Sequence, residues 1–383
     1  MILTDELLNY LETSTEETLA LIEQLCKIPA PSGKEENRAA FVKEWLEKQG
    51  AKGVYIDEAK NTLYPVNCEG KNEIVLFSAH TDTVFPDLEP MPFVRDEEYM
   101  YSPGVGDDTA CLAVMLMIAK YITQKGIKPK CGILFAANSC EEGLGNLKGI
   151  KQIMADYQGR IARAYTFDGH YGALVNECVG SHRYEITLET EGGHSFGAFG
   201  NRNAIVAAAK IICRLSDCDI PQNNEGITTY NVGVVEGGTS VNTIAQKAKF
   251  LYEYRSNRAD NLEKMRVFFE NTIAQARAEN IADITVKTVG VRPCTGDVDQ
   301  AVLEEMSKQA VEISEKYSGI PCLRKAGSTD CNIPMSLGVP ALCVGSYLGS
   351  GAHTREEKVK IDSIPVGLKI AAELILGYCN AEK

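Results

Sequence analysis

Two styles of chain within one sequence predict an α/β protein that carries an inserted α+β domain. Short, continuously apolar runs, Ile74-Val-Leu-Phe-Ser78 and Gly132-Ile-Leu-Phe-Ala-Ala137, have the pattern of strands covered on both faces. Between them Ala110 to Ile122 is apolar over a helical length, which is the rhythm of a sheet flanked by helices. From about Ser181 to Arg292 the order becomes β-α-β-β-α-β, the ferredoxin-like arrangement. A chain of 383 residues exceeds the usual single-core size, so two domains are expected: residues 1–180 with 293–383, and 181–292 inserted between them.

The first fifty residues read as two helices, Glu16 to Lys27 and Glu35 to Gln49, separated by the breaker run Ile28-Pro-Ala-Pro-Ser-Gly33. In the insert, Tyr184 to Thr190 alternates as a half-buried strand and Ala204 to Leu215 is helical. Tyr230 to Val235 and Ala248 to Tyr254 are strand-like, Asn261 to Asn280 is a helix, and Ile284 to Val289 is a strand. A helix from Gln300 to Tyr317 and apolar runs around Leu337 to Val344 return to the α/β style.

Composition excludes several classes. With 44% hydrophobic and 24% charged residues the chain can bury a substantial core. A net charge of -13 without any dense basic run argues against a nucleic-acid partner. No stretch is long and apolar enough to span a bilayer, and acids stand where a secretory leader would be basic, so a soluble cytoplasmic protein is expected. Thirteen cysteines are scattered singly with no Cys-x-x-Cys pair, which disfavours a thiolate zinc cluster; the apolar contexts of Cys26, Cys111, Cys131 and Cys213 suit reduced, buried thiols.

Polar residues then gather after the buried runs, where α/β sheets place their ligands. His80 and Asp82, in Ser78-Ala-His80-Thr-Asp82, alternate as they leave a strand, so the Asp can support the imidazole of a liganding His. Asp107 follows the Gly-rich turn Gly104-Val-Gly106 and precedes a helix, a place from which one carboxylate can reach two ions; Asp108 beside it suits a capping role. Glu141 and Glu142 are adjacent after a buried run and would repel unless their roles were divided, one binding and one catalysing. Asp168 again leaves an apolar run, and His353 sits in the Gly-rich loop Gly349-Ser-Gly351-Ala-His353. Bridging and terminal carboxylates, terminal imidazoles and a free carboxylate are the parts that a two-metal hydrolytic site requires. Gly104-Val-Gly106 lacks the third Gly and the distant acid of a dinucleotide-binding turn, and His170 and His182, without carboxylate companions, read as ordinary residues.

These segments, in this order, resemble the M20 metallopeptidases and their aminoacylase relatives, with peptidase T as a similar branch. The resemblance spans nearly the whole chain and further includes Gly192-Gly-His194-Ser195, Gly237-Gly-Thr-Ser-Val-Asn242, Ser328-Thr-Asp330 and His353-Thr-Arg-Glu356. It implies a zinc-peptidase-like catalytic domain, a mixed sheet flanked by helices, with the insert as a lid and dimerisation domain. It implies two divalent ions, Zn²⁺ first with Co²⁺ or Mn²⁺ as alternatives. His80 and Asp168 would be terminal ligands of one, Glu142 and His353 of the other, and Asp107 the bridge. Glu141 becomes the general base, Asp82 the carboxylate behind His80, and His194 an oxyanion donor reaching the other subunit of a homodimer. Asn242 and Arg255 would hold the substrate, a small peptide or acylated amino acid. Thr109 departs from the family, which usually places Lys two residues after the bridging Asp. A different class, a non-catalytic metal- or ligand-binding protein on the same scaffold, is disfavoured by Glu141, since such a scaffold needs no base.

Overall fold

Ile74–His80 and Gly132–Asn138 are buried along their whole length and pair in parallel, with His80 opposite Asn138. Neither strand has a solvent face with which to alternate, which is why both read as unbroken apolar runs. The computed structural model describes residues 3–221 and 226–379. The chain divides into two compact units, Met1–Cys178 with Gly296–Lys383, and Val179–Thr295.

In the first unit an eight-stranded mixed sheet runs in the order Tyr55–Ile56, Thr62–Val66, Gly132–Asn138, Ile74–His80, Ile161–Phe167, Ala341–Val344, Ala173–Cys178 and Leu323–Gly327. Its centre, from Gly132–Asn138 to Ala341–Val344, is parallel. The helix Cys111–Lys125 is buried at every residue from Cys111 to Ile122. Apart from Lys120, which pairs with Glu17, that run is apolar on every side, as a core helix is. Three helices, not two, precede the first strand: Asp5–Thr13, Thr15–Cys26 and Glu36–Lys48. The first is capped by the Thr4 hydroxyl, which accepts the Leu7 N–H, and buries Leu7 and Leu11.

A small antiparallel sheet, Gly349–Ser350, Lys358–Lys360, Tyr99–Tyr101 and Val94–Arg95, carries the loop that contains His353 and Glu357.

The second unit is an antiparallel sheet in the order Thr228–Gly237, Lys247–Ser256, Gly180–Glu189 and Asp283–Arg292, with helices Ala204–Ser216 and Ala259–Ala278 packed on Ile186, Leu188, Phe250 and Tyr252. This is the ferredoxin-like order. A two-stranded ribbon, Gly193–His194 with Thr243–Ile244, extends from it. All thirteen cysteines are free thiols. Cys213, expected to be buried, is exposed, because Ala204–Ser216 turns only Ala204, Ala207, Ala208, Ile211 and Leu215 inward. No helix among the described residues is long and apolar enough to cross a membrane.

Candidate metal centre

The parallel strands deliver His80, Glu141, Glu142 and Asp168 to one end of the sheet, each at or just after a strand end. His80 Nδ1 lies 3.0 Å from the main-chain oxygen of Asp82 and 3.5 Å from its carboxylate Oδ1. A carbonyl only accepts, so Nδ1 carries a proton, and Nε2 is the nitrogen that can offer a lone pair to an ion once its own proton has left. The Asp82 carboxylate also holds the next loop. Its Oδ1 accepts the Glu141 N–H and its Oδ2 the Glu142 N–H, both at 2.9 Å, and the Ser32 hydroxyl donates to Oδ2 at 2.6 Å. One buried acid thus sets the position of a candidate ligand strand and of both candidate glutamates.

Asp107 lies in the wide turn Val105–Ala110 that leads into Cys111–Lys125. This turn needs its glycines: Gly104 has φ 73°, and a Cβ on Gly106 would lie 2.6 Å from the Tyr347 ring. Glu357, buried, accepts N–H groups from Gly104 (2.7 Å), Gly106 (2.8 Å) and Asp107 (2.8 Å). Asp108 Oδ2 accepts the His80 N–H at 3.0 Å, a supporting contact.

The Asp107 carboxylate stands between the two imidazoles. Its Oδ1 is 3.0 Å from His80 Nε2, its Oδ2 is 3.0 Å from His353 Nε2, and the same His353 nitrogen is 3.0 Å from Glu142 Oε1. His353 is a non-glycine residue with φ 64° in the loop after Gly351, which brings an otherwise half-exposed ring onto these acids. Three sets of donor atoms each lie within 4.8 Å of one another: His80, Asp107 and Asp168; Asp107, Glu142 and His353; and His80, Glu141 and Glu142. The first two share Asp107.

Electrostatics follow this packing. Burial and the neighbouring charges of Asp107, Glu142 and Asp330 push the Asp168 carboxyl up to about 7. Burial opposes ionisation of Asp107, but hydrogen bonds from His353 and His80 outweigh it and hold the carboxyl well below the usual range. Hydrogen bonds to Asp107 and Glu142 raise the His353 imidazole to about 10. Burial pulls the His80 imidazole down, and the Asp107 and Asp82 contacts lift it well above its ordinary value. Burial pushes the Asp108 carboxyl well up. So many acids around two imidazoles suit a cation bound among them.

Thr109, where the family usually has Lys, faces a buried cation from elsewhere in the chain: Arg38 Nη1 donates to Thr109 Oγ1 at 3.5 Å and to the Thr81 oxygen at 2.8 Å.

The remaining candidates lie in the second unit. His194 Nδ1 accepts the N–H groups of Phe196 and Gly197, each at 3.3 Å, which leaves the ring proton on Nε2. Asn242 accepts the Ser240 hydroxyl at 2.8 Å. Arg255 makes two hydrogen bonds to Glu253, at 2.9 and 3.1 Å, the ion-pair alternative for an Arg on a strand.

Sequence reasoning missed Ser32, Arg38 and Glu357. Ser32 was visible only as part of a breaker run, and nothing in Arg355-Glu-Glu-Lys358 separates the buried Glu357 from the exposed Glu356.

Parallel strands that end in His80, Glu141, Glu142 and Asp168, met by His353 from the loop of the small antiparallel sheet, assemble the donor types that a metal-dependent hydrolase uses. Residues 76–377 match the model of the family described as Peptidase family M20/M25/M40, and the chain belongs to this family of hydrolases. It is 24% identical over 361 residues to a succinyl-diaminopimelate desuccinylase of Corynebacterium glutamicum, covering 90% of this chain and 92% of the relative. Among solved structures it resembles a tripeptidase of Staphylococcus aureus with TM-score 0.75 and 24% identity, over 94% of this chain and 97% of that one. It also resembles a dinuclear metal binding peptidase of Bacillus subtilis with TM-score 0.64 and 15% identity, over 96% and 99% of the two chains.

Proposed function

We propose that this chain hydrolyses an amide bond in a short peptide, using two divalent ions, with Zn²⁺ as the first choice. The observation that carries the reading is the sharing of Asp107 by two donor sets: His80 and Asp168 complete one, Glu142 and His353 the other. When bound there, such ions would polarise the scissile carbonyl and acidify an attacking water. Glu141, buried beside Glu142 and positioned through Asp82, takes the proton of that water and returns it to the leaving amine. Nε2 of His194 carries a proton, so it can donate to the developing oxyanion from the other subunit of a homodimer. Asn242 and Arg255 hold the substrate in this reading, Arg255 with one face already occupied by Glu253.

A tripeptide aminopeptidase is supported by the tripeptidase neighbour. A second reading, removal of an acyl group from an amino acid, is favoured by the desuccinylase relative, which matches most of the chain. Metal-loaded protein incubated with tripeptides, carboxypeptidase substrates, and N-acetyl and N-succinyl amino acids, with products identified by mass spectrometry, separates these. Release of the N-terminal residue from tripeptides is expected. Cleavage of acyl amino acids alone would transfer the assignment to a deacylase, and cleavage of nothing in the panel would defeat the hydrolytic reading.

A further inference from the structure

Leu323–Gly327 is the edge strand of the large sheet and pairs in parallel with Ala173–Cys178. Successive side chains of a strand face opposite sides. Arg324 lies toward the helix Gln300–Ser318, where Glu304 takes it in two contacts of 2.6 and 3.1 Å. Lys325 therefore lies on the other side, where no hydrogen bond or ion pair engages it among the described residues. An unpartnered ammonium is unexpected in a chain of 52 acids and 39 bases, beside a cluster of carboxylates.

Lys325 borders a cavity of ≈ 250 Å³ that also includes Asp168, His170, Ser328 and Thr329. One wall is Ala173 and Val175, short apolar side chains. Gly327 keeps that wall close, since a Cβ there would meet Val175 at 2.9 Å. The cavity is thus lined by a proposed metal ligand, by a cation and two hydroxyl-bearing residues, and by short apolar side chains. Opposite charge to Lys325 is the missing component. A carboxylate fits it, since an ammonium and hydroxyl donors satisfy its oxygens and the apolar wall accommodates the methylenes that carry it.

We propose that this cavity receives a second carboxylate of the substrate, borne on a glutamyl-like side chain or a succinyl-like acyl group, with Lys325 as the specificity-determining residue. The inference rests on the hydrolytic reading above for its kinetic consequence, but not for its binding consequence.

Two measurements test it. In the first, wild type, Lys325→Met and Lys325→Glu are loaded with zinc, checked for equal metal content, and assayed on tripeptides bearing Glu or Gln at each position in turn, and on N-succinyl and N-butanoyl amino acids. At one position the wild type should prefer the acidic member. Lys325→Met should lower kcat/KM for that member by about 10- to 100-fold while leaving its neutral partner within about threefold, and Lys325→Glu should invert the preference. In the second, binding of glutarate is followed by calorimetry and should weaken about tenfold or more in Lys325→Met. Equal loss on acidic and neutral substrates, or a wild type with no charge preference, overturns the proposal. So does glutarate binding that ignores the substitution. If the wild type cleaves nothing in the panel yet glutarate binding depends on Lys325, the hydrolytic reading fails and the carboxylate cavity stands.

Discussion

Glu357 accepts the backbone N–H of Asp107 at 2.8 Å, across 250 residues of sequence. The acid common to both candidate ion sites is therefore held through its main chain, while its two carboxylate oxygens stay turned to His80 and His353. One Glu357 oxygen accepts the Gly104 N–H and the other those of Gly106 and Asp107, so replacing Glu357 by Gln turns an amide NH₂ at one side or the other of this set of donors. Affinity for zinc should fall about 10- to 100-fold, the usual effect of disturbing a residue behind a ligand, with far-UV circular dichroism unchanged. Unaltered zinc affinity would mean that the turn keeps its shape without this anchor.

Glu141→Gln should keep its metal and lose turnover by roughly two to four orders of magnitude, the usual contribution of a general base. Elemental analysis beside steady-state rates tests this. A variant that loses one ion and stays active would exchange the roles of Glu141 and Glu142.

Asp107→Ala should release both ions, whereas Asp168→Ala and Glu142→Ala should each release one, because Asp107 is the acid shared by the two proposed ion sites, His80 with Asp168 and Glu142 with His353. Two equivalents retained by Asp107→Ala would remove it from the bridge.

Metal loading should liberate protons. In the metal-free protein hydrogen bonds to Asp107 and Glu142 raise His353 to about 10, and, against burial, contacts with Asp107 and Asp82 hold His80 above its ordinary value, so at pH 8 His353 is protonated and must lose a proton to bind an ion. Proton release should therefore accompany binding at pH 8, from His353, and should be larger at pH 6, where Asp168, raised to about 7, is protonated as well. Apparent affinity should accordingly rise with pH until about 10. Calorimetry in buffers of different ionisation enthalpy counts the protons. The sign for stability is the reverse. A raised His353 stabilises the metal-free fold fully below its ordinary value of 6.5, and that contribution disappears as pH rises through about 10.

His194→Ala should bind zinc normally and turn over about a hundredfold more slowly, the scale of one lost oxyanion donor. Mixed with Glu141→Gln under conditions that exchange subunits, it should regain activity at the fraction set by random pairing. Hybrid dimers that form and stay inactive would place His194 outside the partner's reaction.

Local pattern determined much of this protein. The buried runs before His80 and Glu141, the Gly-rich turn before Asp107 and the alternation of the inserted unit depend on near neighbours in sequence, so period and breakers were enough to locate them. The early helix Asp5–Thr13 escaped because its apolar face is short and it is separated from the next helix by a single residue, Ser14. Only the tertiary structure decided which acids serve which partner. Glu357 meets the Asp107 turn because one small sheet folds its loop there, Asp82 meets Glu141 and Glu142 because two parallel strands end together, and Lys325 lacks an anion because strand alternation sends Arg324, not Lys325, to Glu304. Hydrogen bonds and ion pairs between residues 50 to 250 positions apart are set by topology and register, and the local sequence around Glu357 or Lys325 contains no trace of the partner that the fold brings or withholds.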